Sequence, residues 1–445
     1  MTARIPEIVL FEDTAGSALG PAALTRPEFE LVVGGLTQRA RVERLAQRPV
    51  RLALIRSYLR PLLGLAKISD FARERASGSR VFLNARWLPD EAAWREVAGL
   101  GAGEGLVTPE GEVVAFGHEG DPAEAVRLVE RMNPDGARRV GTPWRISPDI
   151  SSGVAAGPAG LRTKVARGHG VLRKSSDLIA FHERLMAQDV GALADQGGRG
   201  AARVAADPQA GVFVRGDQVY AEEGARISGP VVFEAEGGPI LLRSGAEVGP
   251  FSTLRGPVLV DRGAQVLGGP VAQSYIGPGC RIRGEVSASV FLGWSNKAHE
   301  GFVGHSYFGE WVNLGALTTT SNLKNTYGEI RVGPDRQEAT GLQKLGSLVG
   351  DHTRTAIGSL LASGSLIGAG VNLFGASGVA PHWLPSFVWG VGEGAASYEL
   401  GRFLEVAERV LARRGRALAH EERAVLAAVH EASADERNEY LKHRP

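Results

Sequence analysis

Residues 242–266 read LRSGAEVGPFSTLRGPVLVDRGAQV, and in them the aliphatic residues Leu242, Val248, Leu254, Val260 and Val266 fall six apart. A period of six is neither the 2 of a half-buried strand nor the 3.6 of an amphipathic helix. The same spacing returns at Ile276 and Ile282, at Phe302, Phe308 and Leu314, and at Leu361, Ile367, Leu373 and Val379. Glycine follows several of these positions directly, as in Val248-Gly249, Ile276-Gly277, Phe308-Gly309 and Ile367-Gly368, which suits short strands ending in tight corners. Three hexads make one triangular coil of about 18 residues with the aliphatic side chains inside, so residues 211–393 are expected to form a parallel β-helix. A glycine-rich disordered linker would not keep its aliphatic residues in phase over so many repeats. The hexad lapses at 322–340 (NLKNTYGEIRVGPDRQEAT), which predicts a loop leaving the coil, the place where function collects on a solenoid.

The repeat region holds 33 of the 60 glycines in a chain of 445 residues. At roughly 100–200 residues per domain, that length predicts more than one core. Fifty Lys and Arg against 49 Asp and Glu leave a net charge of +1, too little for the broad positive footprint of a phosphate-backbone binder, so no nucleic acid is expected as a partner. The single cysteine, Cys280, allows neither an intrachain disulfide nor a thiolate metal cluster and suits a reducing compartment. No apolar run approaches about 18 residues and the first ten residues lack the pattern of an export signal; the expectation is a cytoplasmic protein with no membrane partner.

Upstream of the repeat, apolar strands are expected at 8–11, 50–55 and 80–84, with helical patterns at 37–46 and 122–131, an alternation that predicts an α/β layer fold over residues 1–150. Residues 151–210 read as a connector containing one amphipathic helix, 176–188. Beyond the repeat, 394–445 is expected to form a helical cap, with charged helices at 398–413 and 421–444.

The most specific stretch is 295–316, SNKAHEGFVGHSYFGEWVNLGA. It resembles the acetyltransferase half of the GlmU family, bifunctional N-acetylglucosamine-1-phosphate uridyltransferases and glucosamine-1-phosphate N-acetyltransferases, whose motif S-K-A-G-H-L-T-Y-L-G-D, followed by V-N-I-G-A, can be laid over it without a gap. That register puts His299 on the family's catalytic histidine and Asn313 on a substrate-binding asparagine. It further implies that Asn322 is the acetyl-contacting asparagine and that Lys344, six residues before Gly350, is the sugar-phosphate lysine. The strings LGWSNKAHEGFVGHSYFGEW and GLQKLGSLVGDH are similar to those of variant GlmU-like proteins of some bacteria, a likeness that spans nearly the whole chain. The resemblance implies a left-handed β-helix, acetyl-CoA as acyl donor, a sugar phosphate as acceptor and a homotrimer with the acetyl-CoA groove between neighbouring coils.

Acetyl transfer to an amino sugar requires a base for the amine proton and donors for the developing oxyanion, and histidine, with an unperturbed pKa of about 6.5, is the natural base. His299 and His305 compete for that role, against the alternative that both are satisfied histidines on the coil surface. Asn313 and Asn322 also read as corner or ladder asparagines, and Lys344 as a solvated lysine. Relative to the family, Ser287 replaces a lysine, Gly269 an arginine, Phe302 a tyrosine near the sugar and Leu323 a second tyrosine, so the acceptor is expected to differ from glucosamine 1-phosphate.

The first strand is followed by FEDTAGSALGPAALTRPEFELVVGGLTQRARVE, which lacks the G-x-G-T-R loop of the usual sugar nucleotidyltransferases but matches the opening of the variant family. Asp13, Arg26, Gly34, Thr37 and Arg39 are therefore the candidates for a nucleotide pocket, with UTP the nucleotide the resemblance implies. The metal-binding aspartate expected at the end of strand 80–84 is replaced by Asn84-Ala85-Arg86, leaving Asp13 or Asp90 as the nearest ligands for Mg²⁺. The expected protein is thus an acetyl-CoA-dependent N-acetyltransferase joined to a sugar-phosphate nucleotidyltransferase domain, active or degenerate; the alternative is a non-catalytic trimeric scaffold or sugar-nucleotide-binding protein.

Overall fold

The computed structural model describes residues 6–13, 19–132, 161–195 and 201–443. Uninterrupted apolar runs such as Ile8-Val9-Leu10-Phe11 and Val81-Phe82-Leu83 suit strands covered on both faces, and they form the middle of a seven-stranded sheet. Its order is Arg162–Val165, Glu104–Val107, Val113–Gly120, Gly78–Asn84, Glu7–Phe11, Leu52–Leu54 and Ser69–Asp70. Every neighbouring pair is parallel except that Val113–Gly120 runs antiparallel to both of its partners. Val9, Phe11, Phe82 and Phe116 pack toward helix Pro122–Met132 on one side. Ile8, Leu10, Val81 and Leu83 pack on the other with Val42, Ala93 and Val97 of helices Gln38–Ala46 and Glu91–Ala98. The edge strand Arg162–Val165 lies in the stretch expected as connector; its four exposed residues carry no apolar alternation that would reveal a strand. The boundary expected at residue 150 lies outside the described residues.

The hexad repeat forms a three-sided prism. One face stacks strands from Val219–Ala221 to Trp383–Leu384, the second from Arg226–Ile227 through Asn296–Lys297 to Val388–Trp389, and the third from Val212–Arg215 to Phe302–Gly304, continuing as Thr319–Thr320 and Leu360–Leu361. All pairs that stack within the coils are parallel, as in Val248 on Val266 on Ile282. Leu242, Val248, Leu254, Val260, Val266, Ile276, Ile282, Phe308, Leu314, Leu361, Ile367 and Leu373 all point inward, as the period requires. Two positions differ. Val303 and Ala380 are buried in place of Phe302 and Val379: Val303 pairs with the inward Val286, and strand alternation then turns Phe302 outward. The expected loop leaves between Thr320 and Leu348 and carries a hairpin, Arg331–Val332 with Glu338–Ala339.

Non-glycine residues with positive φ mark the three edges: Gln273, Ala288 and His305 on one, Trp294, Trp311 and His352 on the next, Phe251 and Leu317 on the third. On the first edge a serine follows each left-handed residue. Ser274 Oγ accepts from the amide of Ser289, Ser289 Oγ from that of Ser306, and Ser306 Oγ from that of Ser347, at 3.0–3.1 Å, which locks successive coils in register.

The prism does not stand apart from the N-terminal half. Helix Asp177–Asp195, longer than expected, lays Leu185, Met186 and Val190 on the outward residues Leu241, Leu259 and Tyr275 of the first face, and the hairpin Val32-Val33-Gly34-Gly35-Leu36-Thr37 packs beside it. The C-terminal region also does more than cap. Phe403, Leu404, Val425 and Leu426 of helices Leu400–Ala412 and His420–Ala432 join the core of the N-terminal sheet. The second expected helix breaks at Ser433, and only the final segment, Ala434–Lys442, closes the coil, with Tyr440 in its core and Arg437 Nη1 donating to the carbonyl of Ser386 at 3.2 Å. No helix among the described residues is long and apolar enough to cross a membrane.

Candidate functional site

The left-handed turn at His305 directs its ring off the first edge, beneath helix Asp177–Asp195. Asn322 Nδ2 donates to His305 Nδ1 at 2.8 Å, and His305 Nε2 lies 3.4 Å from Glu183 Oε1 of the helix. Hydrogen bonding to the His305 ring holds the Glu183 carboxyl below its ordinary value, and Lys344 acts on it in the same direction. Lys344 is brought there by the loop: Leu323 bridges Lys344 antiparallel, and the amide of Leu345 donates to the carbonyl of Asn322 at 2.9 Å. The backbone is crowded at this point. A Cβ on Gly304 would stand 2.5 Å from Asn322 Nδ2, and one on Gly346 would stand 2.1 Å from the Gly304 carbonyl oxygen. His305, Asn322 and Lys344 therefore converge, joined by Glu183, which the sequence reading did not single out because one carboxylate on a charged helix carries no local signal.

The other two β-helix candidates lie elsewhere. Asn313 sits on the second face in a polar ladder, its Oδ1 accepting from Asn296 Nδ2 at 3.0 Å and its backbone bridging Arg354. His299 is exposed in the turn between the second and third faces, and among the described residues its ring makes no hydrogen bond. Its carbonyl accepts from Lys297 Nζ at 2.8 Å, which also donates to the carbonyl of Arg283 at 2.7 Å. Lys297 points into the coil, 2 % exposed, and burial pushes its ammonium down to about 8.

In the N-terminal sheet, the carboxyl ends of parallel strands are where α/β folds open a ligand crevice. Glu12, after the first strand, accepts from Arg56 Nε and Nη2 at 3.0 Å and from the backbone amide of Glu28 at 2.9 Å. Glu28 is 1 % exposed and neither carboxyl oxygen finds a donor; burial, then the Glu12 carboxylate beside it, hold its carboxyl well above the ordinary range. Alongside, Asp13 accepts from Arg86 Nε at 2.7 Å and from Asn84 Nδ2 at 2.6 Å, while Arg86 also reaches Glu112 and the carbonyl of Leu172. Glu12, Glu28 and Arg56 were missed for want of spacing: they meet only when strands distant in sequence come side by side.

Of the five nucleotide-pocket candidates, Arg26 and Thr37 line one cavity of about 390 Å³ together with Glu30, Glu310 and Asp351, whereas Asp13, Gly34 and Arg39 do not line it. Arg26 pairs with Asp351 and, at 3.3 Å, with Glu310 of the β-helix. Gly34 forms the first residue of a two-residue turn at φ 72°, so close to the helix that a Cβ would stand 2.3 Å from Asp189 Oδ2. Thr37 caps helix Gln38–Ala46 by accepting from the amide of Ala40 at 3.0 Å, and Arg39 pairs with Glu30 at 2.7 Å. Asp13 is paired with Arg86. Neither residue named for Mg²⁺ fits that ion: Asp13 is held by a guanidinium, and Asp90 caps helix Glu91–Ala98 through the amide of Ala93 at 2.8 Å. Among the described residues, no three His, Cys, Asp or Glu side chains converge as metal ligands would.

Comparison with known proteins gives these sites their setting. Residues 8–197 match the model of the sugar nucleotidyl transferase family. A stretch of 91 residues, 20 % of the chain, is 35 % identical to a bifunctional sugar-1-phosphate nucleotidylyltransferase/acetyltransferase of Sulfurisphaera tokodaii, covering 23 % of that protein. Another of 122 residues, 27 % of the chain, is 32 % identical to the bifunctional protein GlmU of Rippkaea orientalis, covering 20 % of it. The chain thus spans about a quarter or less of these relatives' lengths. The chain carries a sugar nucleotidyl transferase domain over residues 8–197 and is a distant relative of bifunctional GlmU-like proteins.

Proposed function

We propose that this protein is a two-site transferase acting on sugar phosphates. In the β-helix, acetyl-CoA N-acetylates an amino-sugar phosphate such as glucosamine 1-phosphate; in the N-terminal domain, a sugar 1-phosphate is joined to a nucleotide, UTP being the first to test. The convergence of His305, Asn322 and Lys344 on one edge is the observation that carries the acetyltransfer reading. Neutral His305 holds its proton on Nε2, toward Glu183, and offers the Nδ1 lone pair to the acceptor amine in place of the Asn322 amide. The amine nitrogen attacks the thioester carbonyl, the carbon–sulfur bond breaks, and the proton taken by His305 passes to the departing CoA thiolate. In this reading Asn322 donates to the acetyl oxygen and Lys344 meets the sugar phosphate.

In the N-terminal domain a sugar-phosphate oxygen attacks the α-phosphorus of the nucleotide and pyrophosphate leaves. The buried charge cluster of Glu12, Glu28 and Arg56 beyond the first strand supports putting that reaction at the strand ends, where α/β folds bind their ligands. A homotrimer is part of the proposal: Phe251, Leu317, Ile357 and Val379 are between 61 and 80 % exposed along the third edge and face, an apolar strip that a neighbouring prism would cover. His299 lies beside this strip, which supports a second reading in which His299 becomes the base once a neighbour closes over it.

The test is release of free thiol from acetyl-CoA with a panel of amino-sugar phosphates, and release of pyrophosphate from UTP or dTTP with sugar 1-phosphates. Thiol and pyrophosphate above background are expected. Background with every acceptor would leave the non-catalytic scaffold, or a sugar-nucleotide-binding protein, as the function.

A further inference from the structure

We infer that Glu183 is a positioning residue for His305, so that the site on the β-helix is completed by a helix of the N-terminal half. Glu183 stands inside the segment that matches the nucleotidyl transferase family, 122 positions before the histidine it faces across 3.4 Å. The helix that carries it is fixed from several sides. Asp189 takes a bidentate pair from Arg41 at 2.7 and 2.6 Å and accepts the amide of Gly35 at 3.0 Å. His182, fully buried next to Glu183, sets one ring nitrogen 3.1 Å from the Gly34 carbonyl and the other 3.1 Å from the carbonyl of Gln273, which precedes His305 on the same edge by two coils. Helix, hairpin and coil are thereby held in one arrangement, and Glu183 inherits its position from it.

An imidazole with a donor on Nδ1 and a carboxylate facing Nε2 has one favoured neutral tautomer, with the proton on Nε2. Removing the negative charge at Glu183 leaves the Asn322 donor alone to hold the proton on Nε2, which weakens the preference without emptying the space. The carboxylate that faces the ring is itself acted on by His182 of the helix and Lys344 of the loop, besides His305; Asn322 is neutral. Lys344, which acts on Glu183, works against a proton on Nε2, so without the carboxylate only the Asn322 donor is left to oppose it.

This inference rests on the reading of His305 as the base, and its test separates the two. In full-length protein with ¹⁵N-labelled histidine, the His305 ring nitrogens, assigned by comparison with His305→Gln, are expected to report the Nε2–H tautomer in the wild type and a mixture in Glu183→Gln. With acetyl-CoA and the acceptor that supports transfer, Glu183→Gln is expected to lower kcat about tenfold or more while leaving KM for acetyl-CoA within about twofold, and Glu183→Asp to recover part of the loss. An unchanged tautomer in Glu183→Gln overturns the inference whatever the activity. A wild type that transfers no acetyl group overturns the proposed reaction but leaves the tautomer measurement to decide on Glu183.

Discussion

The edge of the prism that carries His305 is sheathed by helix Asp177–Asp195, whereas the edge that carries His299 faces solvent in the company of Leu317 and Ile357. Both are turns of the same repeat and both put a histidine beside a strand of the third face. What separates them is the covering. On the sheathed edge the ring has two partners and a loop delivers a lysine; on the bare edge the ring is exposed. The repeat builds equivalent corners, and the elements packed on it decide which corner becomes a site.

The largest effect that could break this comparison is catalytic. His305→Ala is expected to lower kcat for acetyl transfer by roughly 10²–10⁴, the usual worth of a general base, and His299→Ala to cost less than about tenfold. The reverse order would move the site to the bare edge and with it restore the gapless register that put His299 first.

Next comes the attachment of the sheath. Arg41→Met strands the carboxylate of Asp189, whose side chain is 2 % exposed, and should destabilise the protein by about 3–5 kcal/mol in urea unfolding at neutral pH. A loss below about 1 kcal/mol would mean that the helix is held by apolar contact alone.

The remaining edge offers a measurement by acid. His352 stacks 6.4 Å from Trp311, which stacks 5.4 Å from Trp294, and Arg416 lies over both tryptophans. Burial pushes His352 down to about 4 and also lowers His182. Because these folded-state values lie below the unfolded one, the unfolded chain takes up the proton first. Stability is therefore complete above about pH 6.5 and falls as the pH drops toward 4, by roughly 3 kcal/mol for His352 alone. Denaturant midpoints followed by tryptophan fluorescence would read this directly, and a midpoint independent of pH between 7 and 4.5 would rule it out.

The smallest expected effect on folding belongs to the bare edge. Leu317→Glu with Ile357→Glu should change stability by no more than about 0.5 kcal/mol per site, yet shift light scattering from a mass near three times 47.0 kDa toward that of one chain. If the wild type is already a monomer, the apolar strip has another use and His299 loses its second reading.

The coil was legible in sequence because its rule is local: a residue six positions on meets the same environment, so phase alone places Leu242 or Ile367 inside. Phe302 and Val379 escaped the rule where a turn changed length by one residue, since a strand then presents its other face. The loop at 322–340 was visible for the same reason, as a lapse of phase. The sheathing was not. Leu241, Leu259 and Leu348 point outward on the first face and are buried only because helix, hairpin and loop cover them, a fact that no window of a few residues contains. The opening motif shows the same limit. Asp13, Arg26 and Arg39, together with Arg41 two residues on, are all engaged in ion pairs with Arg86, Asp351, Glu30 and Asp189, partners that no local window of the sequence contains.

The docking of helix Asp177–Asp195 along the first face also limits how a chain of this kind can change length over descent. Adding one coil to a solenoid displaces everything beyond it by one strand spacing, roughly 4.8 Å. That exceeds the 3.4 Å between His305 and Glu183. A coil gained or lost before Val231 leaves the pair untouched, as does one beyond Leu384, whereas one inserted between Leu241 and His305 carries the histidine out of reach of its carboxylate. The helix acts as a ruler laid against the stack, and duplication of coils, the easiest way for repeat proteins to grow, is closed to this chain along the stretch that the helix covers.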